Sequence, residues 1–236
     1  HGLIINKACA LGNIELITIL HQSGAILNEN SLEEACYADY ELTVEQRTNL
    51  VSYLIGQNIF ITPTAIHNAL YLNDTSILKM LLSKGANPDA DNGIGSPLLS
   101  ILNQPSISNN QYEVIKVLLE NKANILLCDK YVGNALHLAA ERGHLKAADI
   151  MLRHAQENNL LKELLIPSHG IAFEGKTAYQ IALEKHQTQI VQLLEKYVSS
   201  TERDITISIE FVMSHSLNFH VEETDNEVKI TGEDLE

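Results

Sequence analysis

Apolar residues recur along the first 200 positions in a fixed order. A short stretch with one small residue is followed by a longer apolar run at helical spacing and then by a turn. Asn134 to Ala140, with Gly143 behind it, precedes Ala147-Ala148 and Ile150-Met151-Leu152. Thr64-Ala65-Ile66-His67-Asn68-Ala69 precedes Ile77-Leu78 and Leu81-Leu82, and Gly85-Ala86-Asn87 closes that unit. Ser96-Pro97-Leu98-Leu99 precedes Val114-Ile115 and Val117-Leu118-Leu119 in the same way. The remaining copies are Ala8 before Leu16 to Leu20, Ala35 before Leu50 to Ile55, and Ala182 before Ile190 to Leu194. Apolar residues three and four apart predict amphipathic helices. One such pair cannot bury its apolar face alone, so pairs in series predict a stack with a continuous thin core. The repeated position holds residues 8, 35, 69, 101, 139 and 182, with Ile101 in place of Ala. Insertions fall at 40–48, 103–111 and 156–173; the last contains Leu160 to Leu165, expected as an extra helical turn.

These units resemble the ankyrin repeat, a turn and two helices over about 33 residues. The resemblance is carried by Leu136-His137-Leu138-Ala139-Ala140, by Ile66-His67 and by Thr177-Ala178, and covers roughly 2–198. It implies a mostly α ankyrin-repeat solenoid of about six helix pairs with β-hairpin or turn connections. The expected repeats are 2–29, 30–62, 63–92, 93–130, 131–173 and 174–199, one domain over 1–199. It also implies that His67 and His137 hydrogen-bond to backbone between repeats.

After Ser200 the period changes to two. Ile205, Ile207, Ile209 and Phe211 alternate with polar residues, as do Leu217, Phe219 and Val221, and then Val228 and Ile230. Alternation with β-branched residues predicts strands. Residues 200–236 are therefore expected to be a small antiparallel β-rich C-terminal cap.

Charge separates the same two regions. The chain has 236 residues and a formal charge of −14. Residues 201–236 hold ten acids against Arg203 and Lys229. That balance disfavours nucleic acid, which needs a basic surface to replace phosphate counterions. No apolar stretch approaches the roughly 20 residues of a membrane span. The Glu222 to Glu227 stretch and the Gly232 to Glu236 end resemble the glutamate-rich export signals of type IV secreted effectors of intracellular bacteria. A bacterial protein delivered into a host cell is one expectation; a solvated acidic surface is the plainer one. Three scattered cysteines, Cys9, Cys36 and Cys128, fit a reducing, cytoplasmic setting better than a disulfide scaffold. The first residue is His1 rather than Met, which suggests a fragment of something longer.

No catalytic motif, cofactor fingerprint or metal-ligand spacing occurs. The expectation is a non-enzymatic module with no cofactor and no metal, binding a protein partner. Ankyrin stacks bind on the concave face formed by first helices and hairpin tips. The resemblance places Leu11, Tyr37, Tyr71, Leu72, Glu141, Arg142 and Lys185 on that face and Tyr131 at a tip. Leu11 and Leu72 are expected to form a semi-apolar stripe beside the tyrosines. The alternative is the recognition arm of a larger enzyme whose catalytic domain lies outside this chain.

Overall fold

A computed structural model describes residues 2–37, 42–72, 74–198, 219–224 and 227–232. The chain forms two compact units, residues 1–191 and 192–236. The first unit is built from helix pairs in series: α1 (Gly2–Ala10) with α2 (Ile14–Gln22), α3 (Glu29–Ala35) with α4 (Val44–Gly56), α5 (Pro63–Ala69) with α6 (Ser76–Ser83). Next come α7 (Pro97–Leu102) with α8 (Asn109–Glu120), and α9 (Ala135–Arg142) with α10 (Leu145–Glu157). The long insertion then forms α11 (Leu161–Leu164) and a 3-10 turn over Ile171–Phe173. A last pair, α12 (Ala178–Glu184) and α13 (Thr188–Leu194), ends the series, and α13 runs across the unit boundary.

First helices pack on first helices, α1 on α3, α3 on α5, α7 on α9 and α9 on α12. Second helices do the same from α4 through α6 and α8 to α10. The small residues explain the close approach of the first helices: Ala8, Ala35, Ala69, Ala139 and Ala182 are all buried. Leu54, Leu81, Leu118 and Met151 fill the equivalent place under successive second helices and are fully buried. The turns after the second helices need a left-handed residue. Gly24 and Gly85 supply it in two units, but Asn58 and Lys122 take it in two others, at φ 57° and 67°.

Five helices start with a reciprocal cap in which the side chain three residues into the helix bonds back to the cap residue. The pairs are Asn28/Ser31, Thr43/Gln46, Ser108/Gln111, Asn134/His137 and Thr177/Gln180. Such caps are worth about 1 kcal/mol each. Thr62 caps α5 and Pro63 occupies its first turn. Proline's fixed φ and missing N–H suit that position. The consequence falls on His67. His137 lies three residues after its cap, and its Nδ1 is 3.3 Å from the Asn134 amide nitrogen. His67 lies five residues after Thr62, and its buried Nδ1 has no hydrogen-bond partner.

Three buried histidines reach backbone carbonyls, His67 and His137 within their own repeats and His144 in the preceding one. His67 Nε2 lies 3.0 Å from Ala90 O, and His137 Nε2 lies 3.1 Å from Ile166 O. His144 Nε2 reaches Leu102 O at 3.1 Å and Gln104 O at 2.9 Å. The carbonyls call for a proton on each Nε2. At His137, Nδ1 lies 2.7 Å from Asn134 Oδ1 and 3.3 Å from the Asn134 amide nitrogen. Burial lowers the affinity of all three rings for a second proton, to a pKa of about 4 at His137.

In the second unit, β1 (Phe219–Thr224) and β2 (Glu227–Gly232) pair antiparallel, with Thr224 opposite Glu227 and Phe219 opposite Gly232. The strand expected over Ile205 to Phe211 lies outside the described residues.

Candidate protein-binding face

The C-terminal ends of the first helices are the natural place for a binding row. Each helix stops within about two turns, and the residues just past the small residue emerge from between the repeats. Two residues after it stand Ala10, Tyr37, Tyr71, Asn103, Glu141 and Glu184. Ala10 is buried. Tyr37 and Tyr71 are 43% and 42% exposed, on adjacent repeats whose first helices α3 and α5 pack together. Large aromatic rings half out of solvent at one repeated position are typical interface anchors.

Arg47 holds the end of the Tyr37 repeat in place. Its guanidinium is buried and its Nη1 donates to Ala35 O at 2.8 Å and Tyr37 O at 2.7 Å. It thereby satisfies carbonyls left open where α3 stops. Tyr37 also walls a shallow depression of about 360 Å³ with Asn6, Asn30, Glu33, Glu34 and Asn68, from α1, α3 and α5. Several of these groups already serve the scaffold. Asn6 Oδ1 accepts from Ser31 Oγ at 2.7 Å, Asn68 Nδ2 donates to Glu33 O at 3.0 Å, and Glu33 Oε1 accepts from Thr62 Oγ1 at 2.5 Å.

Farther along, the row becomes charged. Arg142 Nη2 donates to Asn103 Oδ1 at 2.8 Å, one repeat back. Its Nε lies 3.5 Å from Glu141, whose other oxygen lies 3.8 Å from Lys185 Nζ, one repeat forward. Lys176 Nζ in turn lies 2.7 Å from Glu184. Exposed pairs of this kind contribute roughly 0–1 kcal/mol each. Their effect is to hold Arg142 and Lys185 in place across three repeats. The structure therefore brings Glu141, Arg142 and Lys185 together and sets Tyr37 and Tyr71 on one run of helix ends.

Two expected positions fare differently. Leu72 is only 6% exposed, so it does not join Leu11 in an apolar stripe. The chain turns inward there, and Leu72 O accepts from Asn110 Nδ2 at 2.6 Å. Tyr131 is exposed at its turn, with Lys130 Nζ 4.7 Å from its ring centre. That turn is closed by Asp129 and Gly133, which exchange backbone hydrogen bonds of 2.9 and 3.1 Å. The 156–173 insertion folds back against it, with Ile171 N donating to Lys130 O at 3.0 Å and Ala172 N to Tyr131 O at 2.8 Å.

Cys9 and Cys36 are buried, and burial pushes both thiols up to about 12, far from a thiolate nucleophile. Among the described residues, no group of three or more His, Cys, Asp or Glu side chains is placed to hold a metal ion. Nor is any helix among them long and apolar enough to cross a membrane. A second depression, of about 400 Å³, lies between α8 and α10 on the second-helix side. Its rim includes ion-paired Lys116 and Arg153, partnered by Glu113 at 2.8 Å and Asp149 at 3.0 Å.

Comparison with known proteins agrees with the geometry. A family profile described as "Ankyrin repeats (3 copies)" matches residues 105–205, and one described as "Ankyrin repeat" matches 64–93. The two together take in more than half of the chain. The crystal structure of the human ASB11 ankyrin repeat domain superposes with a TM-score of 0.57 at 18% identity, covering 83% of this chain and 84% of that one. At that identity the likeness concerns the fold. The glycerophosphocholine phosphodiesterase gde1 of Schizosaccharomyces pombe is 31% identical over 116 residues, 48% of this chain. The match spans a tenth of that protein's length.

Proposed function

The chain belongs to the ankyrin-repeat family, and from that premise we propose that it is a non-enzymatic protein-interaction module that takes its partner on the ends of its first helices. The observation that carries this reading is the row itself. Tyr37 and Tyr71 supply apolar area at low rotamer cost, and Arg142, Glu141 and Lys185 supply fixed charge of both signs farther along. A face with anchors at one end and ordered charges at the other selects a partner by shape and by register. Because the backbone is preformed, little ordering cost is incurred on binding. The acid-rich segment after Ser200 is read as a separate β-rich cap, in which β1 pairs with β2.

Affinity capture with mass spectrometry tests the reading, comparing the chain with Tyr37→Ala/Tyr71→Ala and with Arg142→Ala. The expected result is loss of the specific partner from the double tyrosine variant and weakened capture by Arg142→Ala, with helical content and melting temperature unchanged. Retention of every partner by both variants would refute the first-helix face as the site.

A second reading has one specific support. The phosphodiesterase gde1 is far longer than the span it shares with this chain. The module would then serve as the recognition arm of a larger enzyme, and the full coding sequence decides this directly.

A further inference from the structure

Charge is unevenly placed along the repeat region. Residues 1–72 hold seven acids against two bases, a net charge of −5, whereas residues 73–200 hold 13 acids against 12 bases. One of the two bases is Arg47, whose guanidinium is buried on the Ala35 and Tyr37 carbonyls. The other, Lys7, does not line the depression beside Tyr37. The tyrosine end of the row therefore carries a net negative charge. A concave surface under a field of one sign raises the local concentration of the opposite charge.

The depression itself carries part of that charge. Glu33 and Glu34 of α3 line it together with Tyr37 and three asparagines, and no Lys, Arg or His does so. Both carboxylate side chains are half-buried. Glu33 Oε1 accepts from the Thr62 hydroxyl, which anchors it. A carboxylate offers about four acceptor sites, so that one bond leaves most of its capacity. Glu34 is set apart by comparison with the other repeats. The residue just before the small residue is elsewhere Lys7, Asn68, Ser100, Leu138 or Ile181, and never an acid. Stacking of first helices thus does not call for a carboxylate there. Tyr37, 43% exposed, adds an aromatic ring, whose face attracts cations.

Negative charge, acceptors and an aromatic wall in one concavity select one kind of occupant. A phosphate or carboxylate would be repelled. An aliphatic group would take water from the carboxylates and pair with neither. A guanidinium meets all three features. Its planar fork donates to carboxylates, its face stacks on a ring, and it gives up water more readily than an ammonium. We propose that the depression walled by Tyr37, Glu33 and Glu34 receives an arginine side chain of the partner protein. The inference rests on the reading of the first-helix ends as the binding face, and it adds the chemistry of the partner at the Tyr37 end.

The test is a proton–nitrogen NMR titration of the 236-residue chain with Nα-acetyl-argininamide as the probe. Saturable shifts are expected at the amides of Glu33, Glu34 and Tyr37 and at the side-chain amides of Asn6 and Asn68. Glu34→Gln removes one charge at nearly constant shape, and Tyr37→Leu keeps apolar area without the ring. Each is expected to weaken probe binding about fivefold or more, with circular dichroism and melting as in the parent. Nα-acetyl-citrullinamide, the neutral isostere, is expected to give no saturable shift there, and Nα-acetyl-lysinamide a weaker one. The citrulline comparison uses the unaltered chain, so it decides even if a variant melts early. Absence of shifts with the arginine probe would overturn the proposal. So would equal binding of the citrulline or lysine probe, or an affinity unchanged in both variants. The two readings fail separately. Loss of the captured partner from Tyr37→Ala/Tyr71→Ala without binding of the arginine probe overturns this proposal and leaves the row standing. Binding of the probe while that double variant retains every partner overturns the row, and the partner's arginine with it.

Discussion

The neutral state of His137 makes the stack sensitive to acid, and the size of the effect follows from its surroundings. The ring is 1% exposed, and burial lowers its pKa to about 4. In the unfolded chain a histidine titrates near 6.5. Because the folded pKa is the lower one, the contribution of this residue is fully present above pH 6.5. It is lost as the pH falls from there towards 4, where the folded state also takes up the proton. At pH 5 the unfolded state has gained a proton that the folded state largely refuses, a difference of about 2 kcal/mol at 1.36 kcal/mol per unit. His67 and His144 shift in the same direction and steepen the loss. His137→Gln isolates the effect of one ring. Glutamine three residues after the cap already closes the caps of α4, α8 and α12, so the substitute retains the local bond and does not titrate. Urea unfolding followed by circular dichroism at pH 7.5 and pH 5.0 should show the parent chain losing about 2 kcal/mol more than the variant over that interval. The comparison concerns slopes, so a lower starting stability of the variant does not matter. Equal losses in the two proteins would refute the buried neutral histidine as an acid switch on stability.

Three further outcomes are expected. Arg47→Met leaves the Ala35 and Tyr37 carbonyls without their buried donor and should lower stability by about 2–4 kcal/mol in urea titrations, with faster amide exchange at the end of α3. Gly170→Ala should destabilise by roughly 1–3 kcal/mol, because an added Cβ would meet the Gly133 backbone nitrogen at 2.4 Å and the Tyr131 carbonyl at 2.8 Å; a thermal melt unchanged by this substitution would contradict the close seating of the insertion on its turn. Deleting the residues after Ser200 should leave capture of a partner by the tyrosine row intact, whereas loss of capture together with steep salt dependence would assign binding to the acidic segment.

The helix pairs were legible because each carries its own period and, in all but the Ile101 pair, its own small residue, which are local signals. That His67 and His137 bond to backbone was legible through the family resemblance, although both carbonyls lie within the histidines' own expected repeats. Two features were not. Leu72 looked like a surface neighbour of Tyr71, but the chain turns inward after α5, a fact set by packing with the next unit. Arg47 gave no signal as a structural residue, because its partners are main-chain carbonyls ten and twelve residues away and main-chain acceptors have no sequence signature. The tyrosine positions could be named from the repeat alone. The ordering of Arg142 and Lys185 around Glu141 needed coordinates, since those three residues come from two repeats.

The buried histidines end on main-chain oxygens: Ala90 O, Ile166 O, Leu102 O and Gln104 O. A carbonyl is present whatever side chain its residue bears. Substitution at Gln104 or Ile166 leaves the acceptor in position, and the exposed row at the helix ends can change without dismantling the scaffold beneath it. Specificity can therefore drift while the architecture persists.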